Sequence, residues 1–458
     1  MKFSKTAAII ISCFFICSVL VSNASAESGI LWTFETNRPV TAQPIVADIN
    51  NDSHLEVVIC SKDGNVSVLD ALDGSIIWQF YTGVSIVSAP ALDDVDEDGK
   101  NEIIISGQAY VEDISNDLNR TYVLNCEDGT VVWACGYGSA FSPIVANLND
   151  DNHLEVILDE GTVLCGYNGT YLMSLDSNSS HAIGNIDEDD NFEVVQRASG
   201  GNLTALHGEN GTVIWTTIVG QIQGWDTGWY LQIGNIDNDA GLEVVSAAFG
   251  YIYALNCEDG TPVWSQSYQI SLTTTPVFGN LDGDSTIEIV VSAADGNIYV
   301  LNGEDGSLAW KYKREGSCTS PPALLDINGD SILDVLVGSG SDSILYGFDG
   351  KDGALLYSFM APQTSTSQST VYYYTPNEDY VTSPGLGDVD SDGDVDAVVG
   401  TYACKIYALD LSGASRLVGP FQSLIQYGPA LVFLGLIGVV LVNMQIRKRK
   451  AKKQGFVR

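Results

Sequence analysis

The chain has 458 residues and a mass of 49.0 kDa, with 58 acidic against 20 basic side chains and a formal charge of −38. A duplex-binding protein needs basic surface to neutralise phosphates, so this balance argues against nucleic acid as a partner. Apolar residues make up 45%, which builds a core and argues against a disordered acidic chain, while 46 Gly, 21 Tyr and 8 Trp read as short strands joined by tight turns.

Residues 1–26 read as a secretory signal. Lys2 and Lys5 give the positive start, Ala7–Val21 the apolar stretch, and Ala24-Ser25-Ala26 a small-residue cleavage site. No twin arginine is present, so the general export route is implied. Ile10-Ile11-Ser12-Cys13 faintly resembles a lipoprotein box but sits early in the stretch.

From residue 27 to 415 the sequence repeats. One phrase recurs eight times: a short apolar run, Asp/Asn-x-Asp/Asn-x-Asp, three residues, Glu or Asp, then a β-branched run. The copies begin at Asp48, Asp94, Asn147, Asn185, Asn235, Asn280, Asp326 and Asp388, at intervals of 46, 53, 38, 50, 45, 46 and 62. A second phrase follows most copies, Asp/Asn-Gly and then Trp, at Trp78, Trp133, Trp215, Trp264 and Trp310. Met173 and Tyr357 stand in its place in two weaker copies.

Each unit reads as four strands. In the unit of Asn280 these are Thr275–Gly279 (A), Ile287–Ala293 (B), Ile298–Asn302 (C) and Ser307–Tyr312 (D), with hairpin turns at Asp295-Gly296 and Asp305-Gly306. Four-stranded units at this period imply an all-β propeller. Gly29-Ile30-Leu31-Trp32-Thr33-Phe34 resembles the D phrase and precedes the first acidic loop, so it is expected to complete the last blade after Lys405–Leu411. Such closure removes open sheet edges and gives eight blades. Seven is the alternative, because the Asn147 and Asn185 copies lie only 38 residues apart.

The acidic loops resemble the FG-GAP and VCBS repeats of integrin-α-like propellers, with Leu386-Gly387-Asp388-Val389-Asp390-Ser391-Asp392-Gly393 as the nearest copy. The Gly-x-x-x-Trp phrase resembles the PQQ-like, quinoprotein-type repeat. Together the two resemblances span about Gly29–Leu411 and imply the propeller fold, which hosts many functions.

Calcium takes six to eight oxygen ligands. Loop positions 1, 3 and 5 turn toward one point, and an acid at position 9 closes the cage. The eight sets are Asp48, Asn50, Asp52 and Glu56; Asp94, Asp96, Asp98 and Glu102; Asn147, Asn149, Asp151 and Glu155; Asn185, Asp187, Asp189 and Glu193; Asn235, Asp237, Asp239 and Glu243; Asn280, Asp282, Asp284 and Glu288; Asp326, Asn328, Asp330 and Asp334; and Asp388, Asp390, Asp392 and Asp396. The expected cofactor is Ca²⁺, in a structural role. The bland alternative is that several loops are only Asx turns, the third set first among them.

Strands alternate in direction, so the A–B and C–D loops share one face and the B–C and D–A loops the other. Three long insertions, Gln108–Arg120, Gln221–Tyr230 and Ala361–Val381, fall on the second face. Two carry aromatics: Trp225, Trp229 and Tyr230 in one, and Tyr372, Tyr373, Tyr374 and Tyr380 in the other. Loop aromatics suit partner binding, and packing on adjacent loops is the alternative. A linker at 416–426 leads to Tyr427–Ile446, apolar over about the length that spans a bilayer. The tail 447–458 opens Arg447-Lys448-Arg449-Lys450, a basic flank that marks the cytoplasmic side.

No familiar catalytic spacing occurs. The four His form no metal-ligand pair, and there is no Gly-x-Ser-x-Gly elbow or phosphate loop. The adjacent cysteines found in many quinoprotein dehydrogenases are also lacking. Seven Cys follow the signal, an odd number whose spacing assigns no disulfide, and seven Asn-x-Ser/Thr sequons beyond the signal begin at Asn51, Asn65, Asn119, Asn168, Asn178, Asn202 and Asn210. The sequence therefore predicts a single-pass, cell-membrane protein with its propeller outside. It is expected to be a non-catalytic calcium binder that adheres to, or recognises, a surface protein or carbohydrate ligand. The alternatives are a scaffold for an envelope protein complex and an enzyme acting on polysaccharide.

Overall fold

Runs such as Glu288–Ser292, Glu-Ile-Val-Val-Ser, are buried at every position. A strand buried on both faces needs layers on either side of it, and neighbouring blades supply them. The computed structural model describes residues 29–108, 119–149, 151, 153–158, 161–175, 181–187, 191–198, 202–219, 230–237, 239–248, 250–313, 320–340, 342–362 and 380–412. These form eight four-stranded antiparallel sheets, an eight-bladed propeller. We number the blades by their acidic loops.

Blade 6 stands for the rest. Its strands are Val277–Gly279, Glu288–Ser292, Asn297–Asn302 and Leu308–Lys313, within a residue or two of the expected spans. The short A strand lies innermost and the D strand is the outer edge. Blade 3 absorbs the short 38-residue interval with short strands, Ile144–Ala146, Glu155–Ile157, Thr162–Cys165 and Tyr171–Ser174. It is a complete blade, so the seven-bladed alternative does not hold.

Ile30–Glu35 closes the ring. It pairs antiparallel with Lys405–Leu409, from Ile30 opposite Leu409 to Glu35 opposite Lys405. Blade 8 thus contains the first strand and the last three. One core cluster joins Trp32, Val398, Ile406 and Ala408 of blade 8 to Val57, Ile59 and Leu69 of blade 1. Near the axis Gly387 is required: a Cβ there would meet Val46 Cγ1 of blade 1 at 2.5 Å.

The repeated tryptophans staple six of the eight blades to the next. The indole N–H donates to a carbonyl in the following blade's C–D turn: Trp32 to Ala71 (2.5 Å), Trp78 to Cys126 (2.8 Å), Trp133 to Gly166 (2.5 Å), Trp215 to Cys257 (2.6 Å), Trp264 to Gly303 (2.6 Å) and Trp310 to Gly350 (2.5 Å). The ring lies over the glycine three residues on. At Gly306 φ is +67°, and a Cβ would meet Trp264 Cε3 at 2.5 Å. Left-handed backbone and lack of space both demand glycine there. Met173 lies over Gly211 more loosely, its Sδ 3.9 Å from where a Cβ would stand, and brings no donor.

No helix among the described residues is long and apolar enough to cross a membrane. The signal, the linker, Tyr427–Ile446 and the basic tail lie outside those residues.

Candidate metal loops

All eight closing acids begin a B strand and are at most 3% exposed. Burial is made tolerable by one contact common to every blade. The closing carboxylate accepts the backbone N–H of loop position 2: Ile49 to Glu56 (3.1 Å), Val95 to Glu102 (3.0 Å), Leu148 to Glu155 (2.7 Å), Ile186 to Glu193 (2.8 Å), Ile236 to Glu243 (2.9 Å), Leu281 to Glu288 (2.6 Å), Ile327 to Asp334 (2.9 Å) and Val389 to Asp396 (3.0 Å). The position-2 side chains are themselves buried and apolar, which pins that N–H in place.

Between these anchors the loop turns on its own side chains. The carboxylate or amide at position 3 accepts the N–H of position 5, as Asp96 does from Asp98 (3.1 Å) and Asp282 from Asp284 (2.9 Å). Position 5 accepts from position 7, as Asp392 does from Asp394 (2.9 Å). In the first, second, seventh and eighth loops the position-1 Asp also accepts from position 6: Ser53, Gly99, Ser331 and Gly393. Left-handed backbone at positions 4 and 6 allows this wrapping, with φ of 61° at Asn51 and 72° at Ser53. The turns are those expected of Asx-rich loops.

In five loops the carboxylates converge further. Asp94, Asp96 and Glu102; Asp237, Asp239 and Glu243; Asp282, Asp284 and Glu288; and Asp388, Asp390 and Asp396 each offer ligand oxygens within 4.8 Å of one another. The fifth group, Asp187 and Glu193, adds His207, whose Nδ1 lies 3.4 Å from Asp187. His207 is a residue that loop spacing alone missed. It follows strand C, where the other blades carry Asp, Asn or Cys, and only the B–C pairing brings it beside the loop. Asp189 lies outside the described residues. The sets of Asp48, Asn147 and Asp326 form no such group among the described residues.

Burial, opposed by the position-2 N–H, pushes the carboxyls of Glu102, Glu155 and Glu243 up to about 7. The same loss of water raises Asp396 to about 7 and Asp334 to about 6, and lifts Glu56 and Glu288. Neighbouring loop carboxylates add to the rise, Asp96 for Glu102 and Asp237 for Glu243. One oxygen of Glu102, Glu243 and Glu288 is buried with no hydrogen-bond partner. A buried carboxylate oxygen without a donor is costly, and a hard cation held among these oxygens would relieve it. The donor set fits Ca²⁺, which takes carboxylate oxygens and tolerates irregular geometry.

The loops share a face with the C–D turns, as strand alternation requires. His153 of the third loop lies 2.5 Å from Glu97 of the second and stacks on Tyr167 of its own C–D turn. Lys100 pairs with Glu127, and the Gly350 N–H donates to Asp334 at 3.0 Å. On the opposite face Tyr230 packs against the cluster of Ile270, Leu272 and Tyr299, and Tyr380 lies 5.3 Å from the ring of Tyr402. Trp225, Trp229, Tyr372, Tyr373 and Tyr374 lie outside the described residues. Cys60, Cys126, Cys135, Cys165, Cys257 and Cys404 are free thiols. Burial pushes the Cys60 and Cys126 thiols up to about 12, which suits packing rather than reactivity.

The family described as outer membrane protein assembly factor BamB matches residues 19–217 and 199–373. No curated protein sequence matches the chain. Among solved structures, BamB from Moraxella catarrhalis is similar at 15% identity and TM-score 0.55, covering 82% of this chain and 96% of that one. The V. cholerae biofilm matrix protein Bap1 gives 14% and 0.57, covering 82% and 90%. The quinohemoprotein alcohol dehydrogenase ADHIIG from Pseudomonas putida HK5 gives 11% and 0.56, covering 84% and 76%. At these identities the likeness is one of fold.

Proposed function

The chain belongs to the family described as outer membrane protein assembly factor BamB, and on that premise we propose a calcium-binding, non-catalytic recognition propeller. It is exported, held to the cell membrane by Tyr427–Ile446, and displays the propeller outside with its C-terminus in the cytoplasm. Its ligand is a surface protein or a carbohydrate, engaged through the insertion face with Trp225 and Trp229. The observation that carries this reading is the repetition at the acidic loops. Eight buried acids take one and the same backbone contact, as a structural device does, and three of them, Glu102, Glu243 and Glu288, keep an oxygen buried with no hydrogen-bond partner.

Calorimetric titration of the full chain in detergent is expected to show several equivalents of Ca²⁺ bound, and chelator is expected to lower the melting temperature. Photo-crosslinking from position 229 in producing cells is expected to trap one surface ligand, and Trp225→Ala with Trp229→Ala to abolish capture in a protein that still melts normally. Release of sugars from a polysaccharide panel would replace this reading with an enzymatic one.

The outer strands favour a second reading, a scaffold within an envelope complex. Ile218, Met360 and Ile76 are 73%, 63% and 52% exposed on D strands of blades 4, 7 and 1. An unpaired edge with apolar side chains is a surface on which another chain can dock. Crosslinks from positions 218 and 360 but none from 229 would select the scaffold.

A further inference from the structure

We propose that loop position 3 decides which acidic loops take a cation. Loops with Asp there bind Ca²⁺, and loops with Asn there satisfy themselves without one. The inference rests on the calcium reading above and sharpens it.

The two kinds of loop share the position-2 contact to the closing acid but differ in the partner of its second oxygen. In the first loop Asn50 Nδ2 donates to Glu56 Oε1 at 3.1 Å, and in the third Asn149 Nδ2 donates to Glu155 Oε1 at 2.7 Å. The orientation of each amide is fixed at its other end. Asn50 Oδ1 accepts the Asp52 N–H at 2.9 Å, and Asn149 Oδ1 accepts the Asp151 N–H at 2.7 Å. Flipping either amide would break both bonds, so the NH₂ group must face the glutamate. The closing acid in these loops has a donor for each oxygen.

In the second, fifth and sixth loops the same place holds Asp96, Asp237 and Asp282. One oxygen of each again accepts the N–H of position 5. The carboxylate has no hydrogen to offer the glutamate. Glu102, Glu243 and Glu288, each at most 1% exposed, accordingly keep Oε1 buried and unpartnered. In each case that glutamate and the aspartates at positions 3 and 5, or 1 and 3, bring oxygens within 4.8 Å of one another. A set of acceptors with no donor calls for a positive centre among them. Because every ligand is an oxygen, that centre is a hard divalent cation. The amide hydrogens of Asn50 and Asn149 thus take the role of the ion.

The seventh loop reaches the same self-sufficiency differently. Asn328 stands at position 3, and the shorter closing Asp334 turns its second oxygen to the Gly350 N–H at 3.0 Å. The eighth loop, with Asp390 at position 3, converges Asp388, Asp390 and Asp396 as the cation-taking loops do.

Two variants of the full chain in detergent test this by calorimetric Ca²⁺ titration and by melts with and without chelator. Asp96→Asn, Asp237→Asn and Asp282→Asn together are expected to remove three equivalents of Ca²⁺. They are expected to leave the melting temperature in chelator no lower than the parent's, and to shrink the rise on adding Ca²⁺. Asn50→Asp with Asn149→Asp is expected to add two equivalents. If the parent binds several ions and neither variant changes the number, the position-3 rule is wrong and the calcium reading stands. If the parent binds none, the calcium reading itself fails and the rule with it. If the triple variant does not fold, the double variant decides, and no gain in equivalents overturns the rule.

Discussion

Trp264 shows how one side chain serves two blades. Its indole fills the space over Gly306, and its N–H caps the Gly303 carbonyl at 2.6 Å. Trp264→Phe keeps most of the ring and leaves that carbonyl without its donor, so a loss of about 1–3 kcal/mol is expected. Trp264→Ala also opens a cavity and is expected to lose about 3–5 kcal/mol. Urea unfolding checks both, and a Trp264→Phe protein as stable as the parent would mean that the hydrogen bond contributes nothing. The tryptophan repeat was legible as a spacing. Its purpose was not, because the indole's partner lies in the next repeat, 39 residues away. The matching cysteines show the same limit. Cys126 and Cys257 share a position in the repeat, and each offers its backbone carbonyl to an indole from the preceding blade, as Ala71 and Gly303 do in theirs.

At the scale of the loop, ion binding and proton binding compete for the same buried acids. An unfolded Glu titrates near 4.5, and in the folded loops Glu102, Glu155 and Glu243 are pushed up to about 7. The folded chain therefore holds these protons more tightly than the unfolded chain. Their contribution to stability is full below about 4.5 and is lost as pH rises through about 7. The calcium-free protein is expected to melt at a lower temperature at about pH 7.5 than at about pH 5, measured in about 0.5 M NaCl to screen the general charge. Saturating Ca²⁺ is expected to remove that fall, at least for Glu102 and Glu243, because the ion replaces the proton. A calcium-free melting temperature that rises over this range would show that burial does not govern these acids. The eight loops and their closing acids were fully legible in the sequence, since carboxylates at alternate positions need only counting. The difference between Asn and Asp at position 3 was visible but had no meaning there. It acquires one only when the second oxygen of the closing acid is seen to have a donor in one case and none in the other.

On the scale of the whole molecule, two features of the termini matter. With the signal and the basic tail set aside, 11 basic residues remain against 58 acidic ones, a charge near −47. Mutual repulsion of that size is expected to make the melting temperature rise with NaCl even in chelator, most steeply below about 0.1 M, where screening changes fastest. Closure is the second feature. Ring closure was legible because Gly29–Phe34 repeats the D phrase ahead of any acidic loop, and the structure places Ile30–Glu35 beside Lys405–Leu409. The strand contributes more than edge cover. Trp32, carried on the last blade, donates to Ala71 of the first and lies over Gly74, as Trp264 does over Gly306. If the ring is closed with this staple formed in solution, Trp32→Ala is expected to cost within about 1 kcal/mol of Trp264→Ala, since the two rings lose equivalent contacts. If the first strand only rests on an otherwise complete propeller, Trp32→Ala will cost less than about 0.5 kcal/mol, as an exposed substitution does. Unfolding both variants side by side in urea separates a bonded ring from an open one, because the comparison is made between two sites of one molecule and needs no absolute stability.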